Sequence, residues 1–343
     1  MNGRHRQTNG APFGKKPSIG DEPPFCAASG EKAAKYVQNP TSFGRNGSRL
    51  NFYNIRQPTL PHYKSRRIMQ DLHWKNAQGL RLYAAHWPVN NPRAVIALVH
   101  GQGEHIRRYQ HVAAWYNRHG IAVLGYDHQG YGQSEGPRGH AKNVAVLLDD
   151  IGLLLQEARE RYPEAPLFLY GHSMGGGLAL QYVLQRDPDL SGLIATSPWI
   201  RLAFQAPALK VMAGRLLRRF MPTLSLPTGL AANFLSHDEQ VVKAYQNDPL
   251  VHSTLSAAAG IALMEGADWL DHFSGVFRVP VLLLHGTGDK IISSQATREF
   301  FGRVAGEVTH HEWEGLYHEL HNEAQQEEVF EYTLRWMETW LKA

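Results

Sequence analysis

From about Arg66 onward, short apolar runs alternate with longer amphipathic segments, whereas the first 65 residues show no sustained period of either 2 or 3.6. This alternation predicts a mostly parallel sheet covered by helices, an α/β class. Strands are expected at Gln70 to Trp74, Leu80 to Trp87, Ala94 to Val99, Ala122 to Tyr126, Leu167 to Tyr170, Leu193 to Thr196, Val281 to Leu284 and Glu307 to Trp313. The runs AVIALV (94–99) and VLLL (281–284) are apolar throughout, as suits central strands buried on both faces. Helices are expected near Ile106 to Arg118, Val144 to Arg161, Met174 to Gln185, Ser294 to Phe301 and Ala324 to Leu341. Between about residues 198 and 273 the alternation stops. That stretch is rich in Ala, Leu, Met and Pro, shows no clear strand, and reads as a helical cap inserted after the sixth strand.

The chain has 343 residues, more than the roughly 250 to 300 that one α/β domain commonly needs. One catalytic domain over residues 66–343 is therefore expected, preceded by an extra segment, 1–65. That segment is rich in Gly, Pro, Asn, Ser and Arg and cannot bury enough surface to offset its ordering entropy, so it reads as a disordered basic extension. The formal charge of +4 belongs to it: ten basic and three acidic side chains there give +7, which leaves −3 for the remainder. The domain itself is thus mildly acidic, and the basic balance suggests no nucleic-acid partner, since no recognisable module stands behind it.

The single cysteine, Cys26, cannot form an internal disulfide, which is compatible with a reducing, cytoplasmic compartment. No run approaches the roughly 18 apolar residues of a membrane span. The opening MNGRHRQTNG has no apolar core of a signal peptide. No H-E-x-x-H, cysteine cluster or phosphate-cradling glycine loop is present, so neither metal nor cofactor is expected.

The strongest local signal is the apolar run Leu167-Phe-Leu-Tyr followed by Gly171-His172-Ser173-Met174-Gly175 and the amphipathic stretch GLALQYVLQ. Gly-x-Ser-x-Gly between a strand and a helix is a nucleophile elbow: the serine sits on a tight, strained turn where side chains two positions away would collide. A serine hydroxyl needs a base to take its proton and a carboxylate to orient that base, in chain order serine, acid, histidine. Asp289, just past a buried strand in VLLLHGTGD, and His318, in EGLYHELHNE, satisfy that order. His321, His310 and His285 compete for the base, and Asp127, Asp271 and Glu314 for the acid; His285 and His310 lie in or against strands and read as packing or surface residues. Acyl transfer also needs donors for the developing oxyanion, here the backbone amides of Met174 and of Gln102 in the glycine-flanked His100-Gly101-Gln102-Gly103.

At this point the chain resembles the monoacylglycerol lipase and lysophospholipase branch of the α/β-hydrolases over about residues 66–343. The resemblance rests on HGQGEHIRRY (100–109), YDHQGYGQSEGPRGH (126–140), GHSMGG (171–176), NDPL (247–250), HGTGDKI (285–291) and GLYHELHNE (315–323). It implies the α/β-hydrolase fold, with an eight-stranded sheet, and a serine esterase or lipase that takes a small ester or monoacyl lipid. It also implies Ser173, Asp289 and His318 as the triad, Gln102 and Met174 as oxyanion donors, and Glu104, Arg108 and His321 around the glycerol end. The cap would supply the acyl tunnel, its stretch 202–217 placing Phe204, Leu209, Met212 and Leu216 on one helical face and leaving peripheral membrane contact through the cap open. A broad carboxylesterase, thioesterase or lactonase would share the triad. Dehalogenases and epoxide hydrolases of this fold would carry an aspartate at position 173, and an inactive binding protein would lack a member of the constellation.

Overall fold

The computed structural model describes residues 69–341; the basic extension expected at 1–65 lies outside them. Among the described residues eight strands form one sheet: β1 (Gln70–Lys75), β2 (Arg81–Trp87), β3 (Ala94–Val99), β4 (Ile121–Tyr126), β5 (Leu167–His172), β6 (Gly192–Thr196), β9 (Val281–Gly286) and β10 (Val308–Trp313). Their order is β1-β2-β4-β3-β5-β6-β9-β10. The β1–β2 and β2–β4 pairings are antiparallel and every pairing from β4 to β10 is parallel. This is the α/β-hydrolase architecture, and all eight strands fall where the hydrophobic pattern placed them.

The continuous apolar run of β3 has its physical reason here. Val95, Ala97 and Val99 join one core cluster, shared with α2 (Val144–Arg161) and α3 (Met174–Arg186). Ile96 and Leu98 join the opposite cluster, shared with α1 (Gln110–Arg118) and α8 (Gln326–Trp340). A strand with both faces covered cannot alternate apolar with polar. The helix expected from Ile106 begins as a short 3-10 turn, Ile106–Tyr109, before α1. Asn143 caps α2 by accepting from Val146 N, and Ser293 caps α7 (Ser294–Phe301) by accepting from Ala296 N.

The insertion after β6 departs from the expectation of helices alone. It carries α4 (Ala208–Phe220), α5 (Glu239–Asn247) and α6 (Ala257–His272), but also an antiparallel pair, β7 (Ser225–Pro227) with β8 (Thr254–Ser256). Three residues per strand are too few to show a period of 2. The last helix, α6, belongs to the body: Ala259, Leu263 and Leu270 are buried in the core cluster of α2 and α3. By contrast α4 buries only Gly214, beside Ile261 of α6. Its apolar stripe of Leu209, Met212, Leu216 and Phe220 faces outward rather than inward as a tunnel lining, and each of the four is more than 60% exposed.

Candidate active site

The carboxyl ends of the parallel strands assemble the site, because every loop of interest leaves the sheet on that edge. At the end of β5 the chain turns sharply into α3 through Ser173, whose φ of 54° is in the left-handed region that non-glycine residues rarely occupy. The flanking glycines are obligatory for a backbone reason. A Cβ on Gly171 would stand 2.4 Å from Gly175 O, and one on Gly175 2.3 Å from Val99 O and 2.5 Å from His100 O.

Ser173 Oγ lies 2.8 Å from His318 Nε2, and His318 Nδ1 lies 2.6 Å from Asp289 Oδ2. A carboxylate can only accept, so His318 carries its proton on Nδ1 and presents a lone pair to the serine hydroxyl. All three side chains are buried. Asp289 is held by more than the histidine: its Oδ1 accepts from Ile291 N at 2.7 Å and Ile292 N at 3.0 Å. Burial alone would raise the Asp289 pKa, but the facing imidazoles of His318 and His285 and the bonds to them outweigh it and hold the carboxyl far below its usual range. Burial likewise opposes charge on His318, yet Asp289 beside it raises the imidazole above its ordinary value. The backbone of the histidine loop is tied to β6 by Ser197, whose Oγ donates to His318 O at 2.8 Å.

The loop after β3 is oriented by a chain of fixed protons. His128 N donates to His100 Nε2 at 3.0 Å, so that nitrogen is unprotonated and His100 Nδ1 donates to Gly101 O at 2.7 Å. Gly101 C=O and Gln102 N–H belong to one trans peptide and point in opposite directions. An imidazole gripping the carbonyl therefore directs the amide the other way. Among the described residues, neither Gln102 N nor Met174 N is used in a turn, loop or cap bond.

Glu104 stands directly behind this loop: its Oε1 accepts from Gly101 N at 2.7 Å and from Tyr109 OH at 2.8 Å. Arg108 Nη1 donates to Glu104 Oε2 at 2.5 Å and to Glu319 Oε1 at 2.7 Å, and Nη2 donates to Glu319 Oε2 at 2.8 Å. Burial raises the Glu104 pKa; for Glu319 burial acts the same way, but the Arg108 guanidinium outweighs it and keeps that carboxyl well below the usual range. His321 is buried, stacked on Tyr109 at 4.8 Å and edge-on to His172 at 4.8 Å. Neither of its ring nitrogens has a partner among the described residues, and burial pushes its pKa down to about 3.

The rival residues lie elsewhere or play other parts. Asp127 is spent on Ile106 N and Gln133 N, Asp271 on Arg201, and Glu314 is exposed. His310 lies against Phe301 at 5.3 Å. His285 is different: it is buried, and its Nε2 stands 3.1 Å from Asp289 Oδ2. Glu319 was not singled out from sequence, and His285 was weighed there only as a rival base and read as a packing or surface residue, although each had a local signal. One directly follows His318, and the other stands four residues before Asp289 at a strand end. Among the described residues no group of three or more His, Cys, Asp or Glu is placed to hold a metal ion.

The family model described as serine aminopeptidase S33 matches residues 90–325, more than half of the chain. The chain belongs to this family. Within it, the hydrolase is similar to a monoglyceride lipase of Rattus norvegicus, 34% identical over 277 residues that cover 79% of this chain and 90% of the rat protein. It is 37% identical over 253 residues to an uncharacterised abhydrolase domain-containing protein of Dictyostelium discoideum; the match covers 73% of this chain but 27% of that protein. Among solved structures it resembles the monoacylglycerol lipase of Paleococcus ferrophilus, with a TM-score of 0.70, 31% identity, and coverage of 76% of this chain and 99% of the other. The hydrolase is accordingly a serine hydrolase of the monoacylglycerol-lipase-like branch. Among the described residues no helix is long and apolar enough to cross a membrane.

Proposed function

We propose that this hydrolase cleaves the ester of monoacylglycerols through an acyl-enzyme, with Ser173 as nucleophile, His318 as general base and Asp289 as its orienting acid. The observation that carries the reading is the unbroken relay from Ser173 Oγ to His318 Nε2, and from His318 Nδ1 to Asp289 Oδ2, at 2.8 and 2.6 Å. In this reading Ser173 Oγ attacks the ester carbonyl as its proton passes to His318. The Gln102 and Met174 amides receive the oxyanion, and His318 then protonates the leaving alcohol. Water activated by the same imidazole hydrolyses the acyl-enzyme and frees the serine.

The glycerol end is assigned to His321, Glu104 and Arg108. His321 supports this with two buried, unpartnered nitrogens. Glu104 and Arg108 contribute charge from the wall, since their polar atoms are largely engaged with Gly101, Tyr109 and Glu319. An aminopeptidase needs a free carboxylate for the substrate amine, and both of these buried carboxylates are already paired with Arg108. The outward stripe of α4, flanked by Lys210, Arg215 and Arg219, is assigned to contact with an anionic lipid surface from which the substrate is drawn.

The test is a matched panel of monoacylglycerols and p-nitrophenyl esters of equal acyl lengths, with lysophospholipids and an aminoacyl amide beside them, given to wild type and Glu104→Ala. A monoacylglycerol preference that collapses in the variant is expected. Equal turnover of both ester series, indifferent to Glu104, contradicts the substrate assignment. Flotation with anionic vesicles tests the surface: Leu209→Ser with Leu216→Ser is expected to release the protein from vesicles without slowing a soluble ester.

A further inference from the structure

Asp289 Oδ2 lies under two imidazoles. His318 Nδ1 approaches at 2.6 Å and His285 Nε2 at 3.1 Å, while Oδ1 takes the Ile291 and Ile292 amides. These four donors fill the acceptor capacity of the carboxylate. Because the carboxylate only accepts, His285 must carry a proton on Nε2, while its Nδ1 is hydrogen-bonded to the hydroxyl of Thr297, 2.8 Å away. Thr297 lies in the first turn of α7 and is fully buried, as is His285 at the end of β9. The ring is thus fixed at both nitrogens, with its donor aimed at the atom that orients His318.

The neighbours of this ring come from three elements. On β10 Glu312 lies opposite His285 in register, with His310 nearby; on α7 Arg298 pairs with Glu312; the histidine loop brings His318. Of these, His318 bonds to Asp289, Glu312 Oε2 accepts from Arg298, and His310 Nε2 stands 4.0 Å from Glu312 Oε1. Buried packing alone would be served by an apolar ring, without a donor placed on Oδ2.

We propose that His285 is a positioning residue for the reaction: its Nε2–H, fixed by Thr297, holds Asp289 Oδ2 in place and shares its charge, and thereby sets the orientation and basicity of His318. This rests on the reading of Ser173, His318 and Asp289 given above. Without the His285 donor, Oδ2 keeps only the His318 bond. The carboxylate is freer to rotate, and more of its charge falls on His318. The imidazolium is then favoured, so the protonated, inactive base persists to higher pH.

The experiment is kcat/KM against pH for a soluble p-nitrophenyl ester, using the full chain as wild type, His285→Phe and His285→Gln, with His318→Ala as control. His285→Phe keeps a ring but no donor. Its kcat/KM is expected to fall roughly tenfold to a hundredfold through misplacement of the base. Its acid limb is expected to move up by about half a pH unit or more, since a lost bond to a charged group shifts a coupled pKa by that order. His285→Gln, which retains an N–H donor, is expected to bring the limb back toward wild type. An unmoved limb in His285→Phe overturns the proposal whatever rate is lost, and so does a glutamine variant that shifts as far as phenylalanine. If His285→Phe does not fold, the 15N shifts of the wild-type rings decide: His285 is expected to carry a proton on Nε2, and a tautomer protonated on Nδ1 alone overturns the assignment. Full activity in His318→Ala would instead sink the reading of the site itself.

Discussion

Arg108 grips Glu319, the residue that follows His318, with both terminal nitrogens at 2.7 and 2.8 Å. The same Nη1 reaches Glu104, whose other oxygen holds the Gly101 amide in the loop after β3. One guanidinium therefore spans the loop of the proposed base and the loop of a proposed oxyanion donor, which are more than 200 residues apart in the chain.

Replacing Arg108 by Ala leaves two buried carboxylates facing each other without a cation. Breaking one partner of a buried ion pair costs about 3–5 kcal/mol. Denaturant unfolding of Arg108→Ala is expected to show a loss in that range, with kcat/KM reduced as both loops loosen. A loss under about 1 kcal/mol would mean that the pair is solvated and its geometry incidental.

The proposed oxyanion donors are backbone groups, so side-chain and amide substitutions at position 102 separate. The Gln102 side chain donates to Thr254 O at 3.3 Å and also meets the Tyr131 hydroxyl, both away from the backbone amide, and Gln102→Ala is expected to keep kcat within about tenfold of wild type. Gln102→Pro removes the N–H and is expected to lower kcat by about a hundredfold to a thousandfold with folding checked by thermal unfolding. Equal effects of the two would place the donor elsewhere.

The pH dependence of activity follows from His318, whose pKa the Asp289 carboxylate raises despite burial. The proposed base works only when neutral, so kcat/KM is expected to be low in acid and to rise as pH passes through the folded-state pKa. The midpoint is expected above about 6.5, the ordinary imidazole value. A midpoint below pH 6 would contradict the pairing.

Stability has a different pH window, set by His100, His128, His172 and His321. Burial lowers all four, His128 to about 4 and His321 to about 3. They stay neutral in the fold while the unfolded chain binds protons below about pH 6.5, so each removes stability as the solution is acidified from there. Asp127 and Asp150, raised by burial to about 6 and about 7, partly oppose that effect. Each histidine contributes a slope of about 1.4 kcal/mol per pH unit until its own folded pKa is reached. His318 has the opposite sign: its stabilisation is fully present below about pH 6.5 and is lost as pH rises through its raised value. Urea unfolding at pH 7, 6 and 5 is expected to show the loss, and a flat profile would contradict neutral burial.

Much of this architecture was legible in the sequence because it is written in local patterns. AVIALV and VLLL announce strands covered on both faces, and Gly171-His-Ser-Met-Gly175 announces a turn that tolerates no Cβ. Chain order picks out Asp289 and His318, and the fold brings them within hydrogen-bond distance of each other and His318 within reach of Ser173. What escaped was long-range or too short. The pair β7–β8 has three residues per strand, below any readable period. The α4 stripe shows its spacing in sequence but not which side it faces, because that depends on Gly214 meeting α6. The Arg108–Glu319 bond joins positions 211 apart, and His285 passed for a packing residue because its partner is reached only after the loop beyond β9 folds back.

The account depends first on Ser173, and the most direct test is ester turnover by Ser173→Ala beside wild type under saturating substrate. The variant is expected to fold with an unchanged unfolding midpoint and to lose essentially all turnover, since the acyl-enzyme has nowhere else to form. Undiminished hydrolysis by that variant would contradict the account.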